Sequence, residues 1–350
     1  MTHVTGEGRI VSLALPDAPF RVDVHCHHIP DFYRLALSEH GIVTAGGIPI
    51  PVWTPEYAVA FMTEYGIQSQ VVSISEPGVY FLPTETERRD LAQRINDYTK
   101  DALIDGSLAL ADRFGGFAVL PLGPDLSAVD VTNACAEARR TITKLGMDGV
   151  GLFSSYDGNY LGDPRLDPLM KVLNDLGAFV FIHPVTPAAY PDLILPTFLY
   201  EFPFDTTRAV VSMAYAKIFS RFPRIRWLIA HAGGTIPFIG ERARTFAATA
   251  GLARGRGERS TIEKNFNFSR LFYDTALSPA PSAMKAVLAT APRSHIMFAT
   301  DWPFAGPVFV VPGDPAPQLS ETFTDAQRRE VERTNALDQL PRLAARLGVS

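Results

Sequence analysis

The sequence predicts an α/β fold, a distorted (β/α)8 TIM barrel with insertions in the βα loops and extra C-terminal helix. Three observations point to it. Short β-rich apolar runs recur along the chain, and most are followed by a stretch with helical periodicity, so strand and helix alternate. Eight such runs can be counted. No Gly-x-Gly-x-x-Gly turn follows the first of them, which ranks an open doubly wound sheet second.

The first strand is expected at Arg21 to His25, followed by a long loop with turn signals at Gly46 and Gly47. Thr54-Pro55-Glu56 reads as an N-cap with Pro at the first helical position. The second strand is expected at Gln70 to Ser75, and its helix from about Thr84, a cap with Glu87 three residues on. The third strand runs from Gly116 to Leu120, with a helix from Ser127 to Leu145 that Gly146 stops. The fourth is Gly149 to Phe153. The fifth, Ala178 to His183, is a continuous apolar run ending in His-Pro, which suits a strand buried on both faces. The sixth is Arg226 to His231, the seventh Leu271 to Thr275, and the eighth His295 to Thr300. Val185 to Phe204, rich in Pro and aromatics, is expected to be a lid or wall loop, and Thr322 to Leu347 an appended helix.

With 350 residues, 47% hydrophobic and 20% charged, the chain is expected to fold as one barrel domain, residues 1–350, with a C-terminal helical extension over about 318–350. The net charge of −5, with no Lys/Arg block, argues against a nucleic-acid partner. Cys26 and Cys135 are the only cysteines, too few for a disulfide framework, and the N-terminus lacks a basic patch followed by an apolar run. A cytoplasmic location is therefore expected. Every apolar stretch is broken before the ~18 residues needed to span a bilayer, so no membrane association is expected.

Of eight histidines, four fall at the C-terminal ends of expected strands: His25 and His27 after the first, His183 after the fifth, His231 after the sixth. Asp301 follows the eighth. That rim is where barrel enzymes assemble their sites, because loops from different strands converge there. His25 and His27, two apart in an extended segment, point into the mouth together. With His183 and Asp301 they make a natural set for one divalent first-row ion that keeps a position open. His28 falls out of phase and reads as structural. His231, before the small residues Ala232-Gly233-Gly234, reads as an acid/base group rather than a ligand. Asp274 is explained equally well by a salt bridge or a helix cap and is left out of the site.

Val22-Asp23-Val24-His25-Cys26-His27, Phe181-Ile182-His183-Pro184, Ala230-His231-Ala232-Gly233-Gly234 and Thr300-Asp301-Trp302-Pro303-Phe304 resemble the amidohydrolase superfamily. They resemble in particular its branch of 2-amino-3-carboxymuconate-6-semialdehyde, γ-resorcylate and 6-methylsalicylate decarboxylases. The ortho-hydroxybenzoate decarboxylases are the nearest likeness, through Trp53-Thr54-Pro55-Glu56, Tyr156 to Pro164 and Glu201 to Arg208. The resemblance implies zinc, with manganese as the alternative, on His25, His27, His183 and Asp301, and His231 handling a proton beside it. It also implies that Arg242, eleven positions after His231, reaches across a homodimer interface to a substrate carboxylate.

Two departures from the family pattern matter. The stretch from Gly149 to Asp157 has no lysine to bridge two ions, so one ion is expected. Glu56 to Tyr65 lacks the arginine of the aminocarboxymuconate enzyme, which puts that substrate in doubt.

The implied function is non-oxidative decarboxylation of a small aromatic acid, most simply an ortho-hydroxybenzoate of the 6-methylsalicylate or γ-resorcylate type. Asp301 and His231 would deliver the proton. Trp53, Tyr156, Phe198, Phe204 and Trp302 are candidates for an apolar wall around the ring, with Trp53 and Trp302 taken as substrate-binding. The rivals are a mononuclear hydrolase of an ester, lactone or amide, more weakly a hydratase, and a barrel that binds metal without catalysis.

Overall fold

A computed structural model of the chain describes residues 2–4, 10–12, 19–107, 110, 112–191, 193–249, 263–305, 311 and 313–349. Its centre is one all-parallel sheet of eight strands in sequential order. These are β1 (Arg21–His27), β2 (Ile67–Ser73), β3 (Phe114–Val119), β4 (Gly149–Phe153), β5 (Phe179–His183), β6 (Arg226–Ile229), β7 (Phe272–Asp274) and β8 (Ile296–Met297). The segment after β8 returns to β1 and closes the barrel: Val24 N donates to Phe298 O at 3.1 Å, Asp301 N to His25 O at 2.8 Å, and His27 N to Trp302 O at 2.7 Å. Closure therefore runs through the candidate ligands.

The helices that cover the sheet start where local chemistry says they should. Helix α1 (Asp31–Glu39) follows β1, and α2 (Pro55–Glu64) starts at Thr54, whose side chain accepts from Tyr57 N. Helix α3 (Glu85–Tyr98) has the full capping box of Thr84 and Glu87. Helix α4 (Ala128–Arg140) is capped by Ser127 and runs on through a wider π turn, Thr141–Leu145, to Gly146 at φ +67°. Then come α5 (Asp167–Leu176), α6 (Glu201–Tyr215), α7 (Ile236–Thr249) and α8 (Pro281–Thr290). The expected insertions are small antiparallel hairpins on the rim, Thr44–Ala45 with Ile48–Pro49 and Ser155–Tyr156 with Asn159–Tyr160.

Two expectations need correcting. The segment from Val185 to Phe204 is a loop only as far as residue 200, because Glu201 to Phe204 form the first turn of α6. Pro203 is tolerated there, since first-turn amides have no intrahelical acceptor to lose. The C-terminal segment is also not one appended helix. It is a helix from Asp325 that runs through a π turn at Glu330–Thr334 to Leu337, followed by a separate short helix, Pro341–Arg346. The break falls at Leu340-Pro341, where the proline ring disfavours helix in the residue before it.

These pieces plug the end of the barrel opposite the site. Ala336, Leu337, Leu340 and Leu343 share one buried cluster with Val22, Val24, Val71, Phe117, Phe179, Phe181 and Leu228. Arg21 Nε donates to Glu332 Oε1 at 2.9 Å, and Arg328 Nε reaches the same oxygen at 2.9 Å. The plug lets the interior stay apolar up to the layer of polar side chains at the mouth.

Candidate metal centre

Alternation along a strand sends every second side chain to the same face. On β5 this stacks Phe179, Phe181 and His183 in one column, with two phenylalanines beneath the histidine, and all five residues of the strand are buried. The ring of His25 packs 4.8 Å from that of Phe181 and 5.1 Å from that of His183, and His27 lies 4.7 Å from His183. His25, His27, His183 and Asp301 are all buried and each brings a ligand atom within 4.8 Å of all the others.

The spacing and the tautomers fit a cation. His25 Nε2 is 3.2 Å from His27 Nε2 and 3.3 Å from Asp301 Oδ1, and His27 Nε2 is 3.0 Å from the same oxygen. An ion bonded at ~2.1 Å separates its ligand atoms by roughly this much. His25 Nδ1 is 2.8 Å from Asp274 Oδ2, and His183 Nδ1 donates to Pro184 O at 2.7 Å. With each Nδ1 set against an acceptor, a bound ion would meet the Nε2 lone pair of both rings. Several lone pairs converging on a buried carboxylate repel unless a cation or shared protons lie among them.

The charges of these side chains alone already polarise the cluster. Burial opposes charge on His25, but Asp274 and Asp301 outweigh it and raise the imidazole to about 10. Burial lowers His27 despite its bond to Asp301, and lowers His183 far below the ordinary range, with the neighbouring imidazoles adding to the effect. For Asp301, burial favours the neutral acid, yet the charge of His25 and the hydrogen bonds from His231, His25 and His27 hold the carboxyl well below the usual carboxylate range.

His231 stands beside the four, its Nε2 3.4 Å from Asp301 Oδ2. The two oxygens of Asp301 are therefore divided, Oδ1 toward His25 and His27 and Oδ2 toward His231. A cavity opens onto His183 and Asp301 and is walled by Ala45, Ile48, Phe198, Phe202, Leu277, Phe304 and Ala305, with Ser75 as a further polar group.

The other expected site residues lie further out. Trp53 is 2% exposed and packs edge-on against His28 at 5.9 Å. Trp302, half-buried, stacks on Phe61 at 5.1 Å and is not among the residues that wall the cavity. Arg242 is exposed on α7, with its guanidinium 5.2 Å over the Phe246 ring, and does not enter this chain's own cavity. His28 has the structural role expected of it. Its ring nitrogens lie 3.1 Å from Ser73 O and 2.8 Å from Thr99 Oγ1, and burial lowers it to about 4.

Three carboxylates that sequence reasoning passed over or left out are part of the arrangement. Asp274 holds His25, and it sits at the end of β7 in the same kind of position that singled out the candidate ligands. Glu76, just after β2, accepts from Gly46 N, from Thr186 N at 2.5 Å and from Thr186 Oγ1 at 2.9 Å, so it ties together two walls of the cavity. Asp205 accepts from Ser154 Oγ and, at 2.6 Å, from Tyr160 OH. Ser154 Oγ in turn receives Val185 N at 3.2 Å, which steadies the turn after His183. The Tyr156–Pro164 and Glu201–Arg208 segments therefore meet at Asp205.

Comparison with known proteins agrees with this geometry. The amidohydrolase family model matches residues 22–342. The chain is 30% identical over 337 residues to 6-methylsalicylic acid decarboxylase of Penicillium expansum, covering 92% of this chain and 97% of that one. It is 26% identical over 336 residues to the γ-resorcylate decarboxylase of Rhodococcus jostii, covering 87% and 97%. Among solved structures, a dihydroxybenzoic acid decarboxylase from Polaromonas sp. JS666, with bound manganese and 2-nitroresorcinol, superposes with a TM-score of 0.71 at 18% identity, covering 92% and 97%.

Proposed function

From the premise that this chain belongs to the amidohydrolase family, in the branch of the 6-methylsalicylate, γ-resorcylate and aminocarboxymuconate-semialdehyde decarboxylases, we propose that it is a metal-dependent, non-oxidative decarboxylase of a small aromatic acid. The substrate is an ortho-hydroxybenzoate of the 6-methylsalicylate or γ-resorcylate type. The observation that carries this reading is the divided Asp301 carboxylate at the floor of a largely apolar cavity.

One divalent ion, zinc or manganese, would be held by His25, His27, His183 and Asp301 and would supply Lewis-acid and orienting power toward the substrate's carboxylate and phenol oxygens. The remaining work falls to the chain. Phe198, Phe202 and Phe304 hold the ring and exclude water. A proton relayed from His231 Nε2 through Asp301 Oδ2 goes to the ring carbon that bears the carboxylate. The C–C bond then breaks, its electron pair restores aromaticity, and carbon dioxide leaves. Trp302 and Trp53 act on substrate binding indirectly, through Phe61 and His28.

Phe238 and Phe246 stand exposed on α7 at positions four before and four after Arg242, so all three share a helix face. That face supports a homodimer in which Arg242 reaches the substrate carboxylate in the partner's cavity. The enzyme acts as one barrel domain in the cytoplasm; among the described residues no helix is long and apolar enough to cross a membrane.

The test is metal content of the purified protein together with carbon dioxide release from a panel of 2-hydroxybenzoates. About one ion per chain, with release from at least one compound, is expected. One ion with no release from any would move the reading to ester, lactone and amide substrates.

A further inference from the structure

Asp274 is 0% exposed, and its two carboxylate oxygens serve different parts of the site. Oδ2 lies 2.8 Å from Nδ1 of the ligand His25. Oδ1 accepts the backbone N–H of His231 at 2.8 Å and that of Ala276 at 3.0 Å. His231 opens a run of four residues with positive φ, +55° at His231, +55° at Ala232, +78° at Gly233 and +61° at Gly234. Two of these are not glycine, and such a conformation persists only where its surroundings impose it. The glycines cannot be replaced without collision: a Cβ on Gly234 would sit 2.2 Å from Pro203 O. The first N–H of this strained turn is pinned by Asp274.

We infer that Asp274 is a positioning residue that couples metal binding to proton delivery, one carboxylate fixing both the tautomer of His25 and the place of His231. An aspartate has only acceptors to offer, so His25 must carry its proton on Nδ1 and present Nε2 as a lone pair. The same charge draws in the N–H of His231 and so aims its Nε2 at Asp301 Oδ2. This inference rests on the site reading above for the role of His231, whereas the His25 half stands on the metal cluster alone.

The isosteric variant Asp274→Asn separates the two roles. Its amide oxygen must face the two backbone N–H groups, since the NH2 group would confront donors there. The NH2 then faces His25 Nδ1 and forces the proton onto Nε2, where the ligand lone pair should be. Asp274→Ala removes both contacts. The experiment measures imidazole 15N shifts of the Zn2+-loaded protein, Zn2+ affinity by chelator competition, and kcat at saturating metal.

For Asp274→Asn we expect an unchanged melting profile, His25 switched to the Nε2–H tautomer, Zn2+ affinity weaker by about 10–100-fold, and kcat largely restored once metal is saturating. For Asp274→Ala we expect kcat to remain depressed even at full metal occupancy. An Asn variant that keeps the Nδ1–H tautomer and binds Zn2+ within about twofold of wild type overturns the inference, and so does full kcat in the metal-saturated Ala variant. Should no hydroxybenzoate prove to be a substrate, the tautomer and affinity measurements still decide the His25 half. If the Ala variant does not fold, kcat of the metal-saturated Asn variant decides the His231 half, where a persistent deficit overturns it.

Discussion

His231 Nε2 faces Asp301 Oδ2 at 3.4 Å, while the other oxygen of Asp301 lies 3.0 Å from His27 Nε2. A proton can thus pass between His231 and Asp301 on the cavity side without disturbing the oxygen turned to the histidine cluster. His231 Nδ1 has no hydrogen-bond partner among the described residues, so the ring is held chiefly from its backbone and its Nε2 contact.

Removing the proton partner should therefore leave the ion in place. His231→Asn is expected to retain about one metal per chain by elemental analysis while kcat for carbon dioxide release falls by about 10²–10⁴. A variant that loses its metal would instead make His231 a ligand.

Glu76 fastens the Gly46 wall, which bears Ala45 and Ile48, to the Thr186 wall that leads to Phe198. Glu76→Ala leaves one buried N–H, of Gly46, without an acceptor, at about 1–3 kcal/mol, and a part-buried one at Thr186. The melting temperature should drop and KM rise severalfold, with metal content unchanged. An unaltered KM would mean that the walls hold each other without the carboxylate.

Acid sensitivity should report on the plug beneath the barrel. Burial alone would raise the carboxyl of Asp314, but its hydrogen bond to Arg328, 2.5 Å away, and the charges of Arg328 and Arg21 lower it below the ordinary 3.8. A lowered folded value means that this group stabilises the fold above pH ~4 and that the contribution is lost as pH falls through the folded value. Asp314→Asn is expected to cost ~1.5–3 kcal/mol at pH 7 and to flatten the acid limb of the stability profile, as measured by urea unfolding between pH 3 and 7. Equal slopes in both proteins would rule Asp314 out as the sensor.

If Arg242 serves the partner's cavity, Arg242→Ala and His231→Ala subunits should complement each other. Each homodimer alone is expected to be nearly inactive. After unfolding and refolding together, activity should return, because a mixed dimer holds one cavity with both residues. No recovery in mixed dimers confirmed by mass would sink the shared-site reading.

Much of this architecture was legible before folding because its signals are local. Thr54, Thr84 and Ser127 mark helix starts through bonds to their own neighbours three residues on. His25 and His27 share a face because a strand alternates with period two, and His183 ends an apolar run that only a doubly buried strand would carry. A histidine or aspartate at a strand's C-terminal end in an expected barrel already has an address at the rim.

Asp274 and Glu76 had no such local signature, since a carboxylate after a strand caps a helix or pairs with a cation as readily as it holds a ligand. Their partners lie far off in the chain: His25 is 249 residues from Asp274, and Thr186 is 110 residues from Glu76. Trp53 and Trp302 are near the mouth in sequence but do not wall the cavity, because Trp53 is buried against His28 and Trp302, half-buried, stacks on Phe61. The sequence by itself determined the strand count, the helix starts and the place of the four candidate ligands, all matters of periodicity and neighbouring bonds. Only the closed barrel decided which carboxylates orient those ligands, which aromatics line the cavity and what plugs the far end, because these depend on contacts between segments that closure alone brings together.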